Sequence, residues 1–561
     1  MKHVETERGE YLQLPDGVYW LADVAFGSRL FVRPEYKQLL KALYDEPDER
    51  RYLLCGPSGL GKSCFLLYVM WHVFAKAQDE QQQPQRQQQQ SQSPPTVFFY
   101  FGRRRLMVRV PAGRKPEICD QLAATHSSDR DVFLYDPAEA TDEQGPDARG
   151  VKALMLAAAS PNNRLPAYIK SAHPRKLWLY PWSLEELQTC RRICFATPAE
   201  EKTANRERAR TEGVVAARFQ LAGGNARLVL ESNFTLQVLK QELCEALGKI
   251  EPNRILSSSG TIENLEHGLV VTGSGGKVSY SIFHYGKPPA DKDARYEHGP
   301  LVFASDFLAV TFAELVEKQG AVAMVRLLRG LEGEEWAGVL RGLMFERYLH
   351  HLRSWGSHHP VTVRPLLRDH TDRKYPSLQL PRIPATPFSD DSLAKYGGAS
   401  PQQPPPLYLR PPRDYPSVDA ISVLPEGQAF GGARVLLHQD TVRRRHPVLA
   451  PQLLKILNAL EVRPEECLLV FWVPEDRLGD WKRPQSYTGI GDLEEQQQQL
   501  LGQLKQAVAV VPLRWMHLNE ADEEAAKKCE CICKSGKCLG CKCVQQSERC
   551  RNCWSPNCQN Q

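Results

Sequence analysis

The sequence predicts an α/β protein made of several domains. A glycine-rich loop at 56–63 follows a short apolar run and opens an amphipathic helical run, an order of strand, loop and helix that is typical of a phosphate-binding sheet. Apolar strand-like runs then alternate with helical runs up to Phe195, which predicts a parallel sheet with helices on both faces. Further helical and strand-like runs follow at 331–520, and nine of the 16 cysteines lie between Cys529 and Cys558. We therefore expect two α/β domains and a small cysteine-rich tail.

Composition places the chain among ordinary globular proteins. Its 561 residues are enough for three or four domains, and 42% hydrophobic residues can fill their cores. The net charge of +5 is too small to predict nucleic-acid binding, so such a function must come from local patches. No apolar stretch stands at the start of the sequence, and no apolar run approaches the length of a membrane span. We expect a soluble, intracellular protein without a membrane partner.

The first part of the chain reads as a lead-in followed by a nucleotide domain. The lead-in, 1–50, holds a helix at 34–44, and the nucleotide domain is predicted at 51–232. A tract rich in glutamine at 81–95 cannot bury apolar surface, so we expect a solvated loop there. The strands of the predicted sheet are 52–55, 97–102, 132–136, 154–160 and 176–182, with a helix at 183–195.

The loop at 56–63 reads GPSGLGKS and matches the pattern G-x-x-x-x-G-K-[ST] with the correct flanks. Glycines allow consecutive backbone N–H groups to close around a phosphate, and the start of the helix adds its positive dipole. Lys62 is placed to face the β and γ phosphates, and the Ser63 hydroxyl to bind Mg²⁺. The alternative is a glycine turn with an unrelated lysine. The predicted site for ATP or GTP is formed by Gly56, Pro57, Ser58, Gly59, Leu60, Gly61, Lys62 and Ser63.

Polar residues after later elements extend this predicted site. Asp136 ends its strand, where a second carboxylate can hold Mg²⁺ through water; the alternative is a cap of the turn before Pro137. Asn162, together with Ser160, is placed to sense the γ phosphate at the same edge. Arg227 follows a double-glycine turn and is placed to reach the phosphates from a helical lid, although such an arginine is more often a surface residue.

The order of these motifs resembles that of the retrotransposon hot spot proteins of trypanosomes and the Crinkler proteins of oomycetes and fungi. The resemblance covers 15–232 and rests on LFVRPEYKQLL, GPSGLGKSCFLLYVMW, LYD, ASPN, KLWLYPWSLEEL and RFQLAGGNAR. YPWSLEEL is the most family-specific of these segments, whereas GGNAR departs from the family, which more often has a proline before the arginine. The resemblance implies an NTPase with a nuclear site of action, either in the cell that makes the protein or, for Crinklers, in a host. The Crinkler secretion segment is absent, which favours the nucleus of the producing cell.

The second part of the chain contains a lid or linking module at 233–330 and a domain at 331–520. We assign no chemistry to the module. In the domain, a proline-rich loop at 401–416 separates an early helix from a group of strands. The predicted elements are a helix at 334–352, a strand that starts at Asp419, strands at 434–448, 467–481 and 508–518, and a helix at 494–506.

Two acids and several polar side chains fall on neighbouring elements of this domain. Glu346 lies at the edge of the apolar stripe of its helix, and Asp419 starts a strand. The next strand carries Gln439, Thr441 and His446. This arrangement resembles the core of PD-(D/E)xK nucleases, where carboxylates bind Mg²⁺ to activate water and to stabilise the leaving oxygen of a phosphodiester. The families named above often join such a domain to their NTPase, with Gln-x-Thr and a following histidine.

The same domain departs from other nucleases at one position. Gln439 replaces the usual second acid, and no lysine stands two residues later. Asp440 is adjacent but alternates to the opposite face of a strand. Taken alone, Glu346 and Asp419 are more often a helix-surface acid and a strand-edge acid, so a degenerate nuclease fold is the alternative. The tryptophans expected to pack in the core or at its rim are Trp472, Trp481 and Trp515.

The cysteine-rich tail, 527–561, has the spacing of a zinc cluster. Nine thiolates can give three zincs four ligands each when some sulfurs bridge, and C-x-C steps suit bridging. Between Cys531 and Cys543 the tail resembles the CXC domains of tesmin-like proteins, which bind DNA. A metallothionein-like metal store and a disulfide knot are the alternatives. The predicted ligands are Cys529, Cys531, Cys533, Cys538, Cys541, Cys543, Cys550, Cys553 and Cys558.

These observations predict an ATPase coupled to a metal-dependent nuclease, with a zinc-cluster tail that anchors the protein to DNA. ATP or GTP, Mg²⁺ and Zn²⁺ are the expected cofactors. The alternative is a nucleotide-switched chromatin-binding or scaffolding factor that does not cleave DNA, with chromatin or transcription proteins as partners. No stretch of the sequence dictates an oligomeric state.

Overall fold

The computed structural model covers most of the chain outside the glutamine tract and the cysteine-rich tail. The fold falls into two compact units, Met1–Thr311 and Phe312–Gln561. The division lies within the stretch 233–330 that the sequence analysis assigns to a linking module. The structure describes residues 1–7, 9–20, 27–46, 48–82, 94–102, 106–119, 128–137, 151–159, 165–195, 211–230, 235–250, 279–287, 301–334, 337–355, 360–367, 377–378, 380, 383–396, 407–412, 415–425, 427–511 and 513.

The first unit combines strands and helices throughout its length. Its strands are β1 (Lys2–Thr6), β2 (Gly9–Gln13), β3 (Arg29–Phe31), β4 (Arg51–Cys55), β5 (Thr96–Phe101), β6 (Leu106–Pro111), β7 (Glu117–Cys119), β8 (Val132–Asp136), β9 (Leu154–Ala158), β10 (Arg175–Trp178), β11 (Phe283–Tyr285) and β12 (Leu301–Phe303). Its helices are α1 (Pro34–Asp45), α2 (Lys62–Gln82), α3 (Pro166–Ala172), α4 (Leu184–Cys190), α5 (Glu212–Ala222), α6 (Ala226–Leu230), α7 (Leu236–Gly248) and α8 (Ser279–Ile282), and α9 (Asp306–Lys318) spans the division between the units.

The main sheet of the first unit has the strand order β10-β4-β9-β8-β5-β6-β7. From β10 to β5 the neighbours are parallel, which confirms the predicted parallel strands, and β6 and β7 extend the sheet antiparallel. Strand β9 lies between β4 and β8 and is parallel to both. The carboxyl ends of all three strands therefore lie at the same edge of the sheet. The loop at 56–63 leaves β4 at this edge, and Asp136 ends β8 there.

Two parts of the first unit were not predicted from sequence. The lead-in forms a small antiparallel sheet, β1-β2-β3, before the predicted helix α1. The antiparallel strands β6 and β7, of six and three residues, were also missed. In the predicted linking module, β11 and β12 pair as an antiparallel ladder.

The second unit is also mixed α/β. Its strands are β13 (Thr362–Pro365), β14 (Ala385–Pro387), β15 (Leu407–Arg410), β16 (Ala420–Val423), β17 (Val435–Asp440), β18 (Val448–Leu449), β19 (Cys467–Pro474), β20 (Tyr487–Thr488) and β21 (Lys505–Val511). Its helices are α10 (Ala321–Gly330), α11 (Gly338–Trp355), α12 (Asp390–Leu393), α13 (Ala450–Ala459) and α14 (Glu495–Gly502).

The main sheet of the second unit has the strand order β13-β21-β19-β17-β16-β15-β14. Strands β17, β19 and β21 are mutually parallel, whereas β16 is antiparallel to both of its neighbours. Strand β19, with the sequence CLLVFWVP, is buried at every position, as expected for a parallel strand covered on both faces. The short strands β13 and β14 form the two edges, and each ends in a proline.

Two predictions for this unit were wrong in detail. The proline-rich loop at 401–416 contains the strand β15, whose run LYLR the surrounding prolines obscured. The strand predicted at 434–448 ends at Asp440, so Thr441 and His446 lie beyond it. The predicted helix with Glu346 is confirmed as α11, and Trp472 and Trp481 are fully buried, as expected. Trp515 lies outside the described residues.

Candidate functional site

The loop at 56–63 enters α2 in a conformation that three glycines permit. Gly56, Gly59 and Gly61 have φ angles of 143°, 87° and 97°, a range that favours glycine. A Cβ atom on Gly59 would lie 2.1 Å from Oδ1 of Asn225, and one on Gly61 would lie 2.3 Å from the Tyr36 hydroxyl. The loop backbone therefore lies directly against side chains from two other segments.

Lys62 is the buried cation of this loop. Its Nζ donates to the carbonyl oxygens of Gly56 at 2.7 Å and Pro57 at 2.8 Å. Burial lowers the pKa of Lys62 to about 8, although the charge of Asp136 opposes this shift. Ser63 is half-buried next to it. An ammonium group and a carboxylate thus lie close enough to influence each other at the carboxyl edge of the sheet.

A fully buried arginine supports the same loop. Arg33 donates from Nη1 to the carbonyl oxygens of Leu60 at 3.2 Å and Tyr180 at 3.3 Å. It also pairs with Glu186, with Nε to Oε1 at 3.0 Å and Nη2 to Oε2 at 3.2 Å. Its guanidinium lies 4.4 Å from the ring centre of Trp182, whose Nε1 donates to the Leu60 carbonyl at 2.8 Å. Two side chains therefore fix one carbonyl of the loop.

The segment YPWSLEEL presents these partners because of its local structure. The Oγ of Ser183 accepts from the N–H of Glu186 at 3.1 Å, and the Glu186 carboxylate accepts from the N–H of Ser183 at 2.9 Å. These reciprocal bonds form a capping box at the start of α4. The cap fixes the Glu186 carboxylate, which therefore meets the Arg33 guanidinium in a defined orientation.

The double-glycine turn between α5 and α6 contacts the loop from another side. The N–H of Trp182 donates to the Gly224 carbonyl at 3.0 Å. Asn225 Nδ2 donates to the Ser58 carbonyl at 3.2 Å, and Arg227 Nη1 donates to Ser58 Oγ at 3.0 Å. A Cβ atom on Gly224 would lie 2.4 Å from the Trp182 carbonyl. The structure therefore brings Arg227 to the loop.

Sequence reasoning missed the residues that hold the loop in place. Arg33 and Tyr36 lie in LFVRPEYKQLL, and Trp182 lies in YPWSLEEL, so all three stand inside the segments that carry the family resemblance. That position was the available signal, but a motif does not reveal which backbone atom a side chain will reach. Asn162 and Ser160 lie outside the described residues.

The second candidate site lies where β16 begins and β17 ends. Gln439 Nε2 donates to Oδ2 of Asp419 at 2.6 Å, and the N–H of Asp440 donates to the same oxygen at 2.6 Å. In the described part of the chain, the buried Oε1 of Gln439 has no hydrogen-bond partner. Burial raises the pKa of Asp419 well above its ordinary value, and the charges of Asp440 and Glu346 raise it further. Neighbouring carboxylates thus oppose the ionisation of Asp419, while the charge of Arg353 favours it.

Glu346 lies on α11, one turn before His350. Its Oε1 is 3.6 Å from Nε2 of His350, and Nδ1 of the same ring is hydrogen-bonded with the Tyr408 hydroxyl. Burial lowers the pKa of His350, whereas Glu346 opposes this shift. Burial opposes ionisation of Glu346, but the interaction with His350 and the nearby charge of Arg410 hold its pKa below the usual value. Glu346 is therefore a charged, oriented carboxylate.

A buried ion pair joins α11 to β17. Arg353 donates to Asp440 from Nη1 at 2.8 Å and from Nη2 at 2.5 Å, and the two side chains are 2% and 0% exposed. Burial disfavours the charged form of Arg353, but Asp440 raises its pKa above the ordinary value. The guanidinium also lies 4.8 Å from the ring centre of Trp472. Gln439 and Asp440 thus make their contacts on opposite faces of β17, as predicted.

Thr441 and His446 lie together just beyond the end of β17. Thr441 Oγ1 accepts from the N–H of Arg443 at 3.1 Å and lies 3.3 Å from Nδ1 of His446. The N–H of His446 donates to Oε1 of Gln485 at 3.0 Å. Burial and the charge of Arg443 lower the pKa of His446, so its imidazole is neutral at pH 7.

Replacing Arg353 by methionine is expected to destabilise the second unit by about 3–5 kcal/mol, because the Asp440 carboxylate is left buried without its partner. The double variant Arg353→Met/Asp440→Asn is expected to recover most of this loss. Hydrogen exchange of amides in β16 and β17 measures the stability of this unit separately from the first. Arg463→Met, at an exposed site, serves as the control. Equal losses in the single and double variants would contradict this role of the ion pair.

The predicted metal ligands are brought together only in part. Among the residues that the structure describes, no group of three or more His, Cys, Asp and Glu side chains converges as a metal site. Asp419 and Gln439 are in contact, and Glu346 is near enough to shift the pKa of Asp419. The nine cysteines of the predicted zinc cluster lie outside the described residues.

Comparisons with known proteins do not assign a function to these two sites. No protein-family model matches the sequence, and no curated protein matches it. The structure establishes the class, a mixed α/β protein with several sheets. Among the helices that could be described, none has the length and apolar character to cross a membrane.

Proposed function

We propose that this chain is a nucleotide-dependent protein that acts on DNA, in which an ATPase unit is coupled to a Mg²⁺-dependent nuclease unit. The observation that carries the proposal is Lys62, a buried ammonium whose contacts are carbonyls of its own loop. A buried charge is costly unless it is paired. Phosphate is a suitable partner, because the start of α2 and the glycine conformations favour anion binding at this place.

A nucleoside triphosphate fits the residues of this loop. Lys62 would hold the β and γ phosphates, while Ser63 and Asp136 would hold Mg²⁺. Mg²⁺, when bound, neutralises charge on the transferred phosphoryl group. Arg33 and Trp182 keep the Leu60 carbonyl turned toward their own donors, which leaves backbone N–H groups of the loop for the phosphates. Arg227, at Ser58, is placed to contact the same anion.

In the second unit, Asp419, Gln439 and Glu346 are the residues that would hold Mg²⁺. Asp419 carries a carboxylate whose ionisation is opposed by burial and by neighbouring negative charge, so a cation there is favourable. The unpartnered Oε1 of Gln439 and the carboxylate of Glu346 would complete the protein ligands. The bound metal would activate water and stabilise the leaving oxygen of a phosphodiester. His446, held neutral beside Thr441, is able to accept a proton at the edge of this site.

The nuclear site of action and the zinc cluster in the tail are supported by the sequence. The order of motifs supports a relationship to the retrotransposon hot spot and Crinkler proteins, and with it a nuclear site of action. The spacing of nine cysteines supports a cluster of three zincs in the tail, which would anchor the protein to DNA.

One observation favours a second candidate function, a nucleotide-switched chromatin-binding or scaffolding factor. Gln439 stands where a second acid would bind metal, and its amide donates to Asp419. A hydrogen bond from an amide already stabilises that carboxylate without a cation. In this alternative, the second unit binds DNA or a chromatin protein without cleaving it.

Plasmid cleavage distinguishes the two candidates. The full-length protein is expected to cleave plasmid DNA when Mg²⁺ is present, at a rate that changes on addition of ATP. Replacing Mg²⁺ by Ca²⁺ is the control, since it leaves the predicted zinc cluster in place. ATP turnover and DNA binding without cleavage would establish the alternative.

A further inference from the structure

A group of positive charges lies at the same edge of the second sheet as Asp419 and Gln439. Because β17 and β19 are parallel neighbours, the segments that follow them emerge at one edge of the sheet. Both segments are rich in arginine and lysine. We define the basic ridge as five exposed residues from these segments, Arg443, Arg444, Arg445, Lys482 and Arg483.

The loop that carries the three arginines is fixed through its backbone. The Arg443 carbonyl accepts from Nε1 of the fully buried Trp481 at 3.2 Å, and the Arg443 N–H donates to Thr441 Oγ1 at 3.1 Å. At the other end of the loop, the His446 N–H donates to Gln485. These bonds do not use the guanidinium groups. The arginine side chains are therefore presented to solvent from a preset position.

Three acids, Glu475, Asp476 and Asp480, precede Lys482 on the segment after β19, and Asp476 is paired with Arg341. Arg444 Nε lies 3.9 Å from Oδ2 of Asp480, with the arginine side chain 76% exposed, and such a pair contributes little. Within the described ranges, Arg443, Arg445 and Lys482 have no ion pair. The backbone contact of Arg443 with Thr441, whose Oγ1 lies 3.3 Å from Nδ1 of His446, places this residue beside the candidate site. Clustered cations such as Arg443, Arg445 and Lys482 match the repeating charge of a phosphodiester backbone.

We propose that the basic ridge binds the phosphodiester backbone of duplex DNA and positions it over Asp419 and Gln439. The inference rests on the proposed function, because it names the surface through which the second unit would hold its substrate. Guanidinium groups can contact phosphate oxygens in a bidentate manner, and such phosphate contacts carry no sequence information. The ridge therefore sets the position of the DNA without a sequence preference.

The salt dependence of DNA binding by the full-length protein tests this surface. A short duplex of arbitrary sequence is titrated with Ca²⁺ in place of Mg²⁺, so that the DNA stays intact. In the variant Arg443→Gln/Arg444→Gln/Arg445→Gln, the slope of log affinity against log salt is expected to become less negative by about three, since each phosphate contact contributes about −0.9 to it. Plasmid cleavage is expected to fall with affinity, whereas ATP hydrolysis stays unchanged.

A matched control removes the same charge from the opposite end of the same strands. Arg434→Gln/Arg463→Gln/Lys505→Gln alters exposed residues near the amino ends of β17, β19 and β21, and the slope is expected to change by less than about one. Equal losses in both triple variants, or an unchanged slope in the ridge variant with cleavage intact, would overturn the ridge alone. In a parallel titration with duplex RNA, a loss of affinity of the ridge variant for RNA but not for DNA would overturn DNA as the ligand of the ridge. Wild-type protein that neither binds nor cleaves DNA would remove the proposed function itself.

Discussion

Replacing Lys62 by alanine is expected to reduce the turnover number for ATP hydrolysis at least about a hundredfold, because removal of one preorganised donor to developing charge has an effect of that order. The Nζ atom is already held at the loop by the Gly56 and Pro57 carbonyls. Phosphate release at saturating ATP measures the effect. Because burial lowers the pKa of Lys62 to about 8, nucleotide affinity of the wild type is expected to fall as pH rises through this value. The variant should lack this dependence.

Lys76→Ala provides the control for this substitution. Lys76 lies on the same helix, α2, is exposed, and has its ammonium 5.7 Å from the ring centre of Tyr44. Its removal is expected to leave hydrolysis unchanged. Hydrolysis that persists in Lys62→Ala would show that the loop at 56–63 is not the site of turnover.

The variant Asp419→Asn is expected to lose plasmid cleavage below detection while its fold becomes more stable. The raised pKa of Asp419 means that the folded state binds this proton more tightly than the unfolded state does. The stability that the protonated group contributes is therefore lost as pH rises through the folded pKa. Asparagine cannot ionise, yet its oxygen can still accept from Gln439 and from the Asp440 N–H. Hydrogen exchange in β16 and β17 without added Mg²⁺ is expected to slow at neutral pH.

Asp391→Asn, an exposed acid on α12 in the same unit, is the control and is expected to retain cleavage. Unchanged cleavage in Asp419→Asn would eliminate the second site as assigned. If cleavage and protection from exchange were lost together, the aspartate would be needed for folding rather than for chemistry.

The parallel strands of the first sheet could be predicted because each carries a strong local signal. The run VFLYD is apolar up to its last residue and forms β8 with Asp136 at its end. GPSGLGKS requires a sharp turn into a helix, and α2 begins at Lys62. The order of the parallel strands, β10-β4-β9-β8-β5, could not be predicted from the sequence, because it depends on which strands pair across long connections.

The supports of both sites depend on contacts between distant segments, which explains why sequence reasoning missed them. Arg33 pairs with Glu186, which lies 153 positions later in the sequence, and the residues around Arg33 do not indicate this partner. Likewise, Arg353 on α11 and Asp440 on β17 look like ordinary charged residues until the fold brings them together. Alternation along β17 did predict that Gln439 and Asp440 would make contacts on opposite faces.

The two edge strands of the second unit's main sheet are poorly suited to pairing with a strand of another chain. The edge strands β13 and β14 have four and three residues and end at Pro365 and Pro387. Proline lacks the N–H that a further strand would need, and short edges offer few unpaired backbone groups. This sheet is therefore a poor template for addition of a strand from another chain. If the second unit associates with itself, we expect the interface to involve its helices and loops rather than an extension of this sheet.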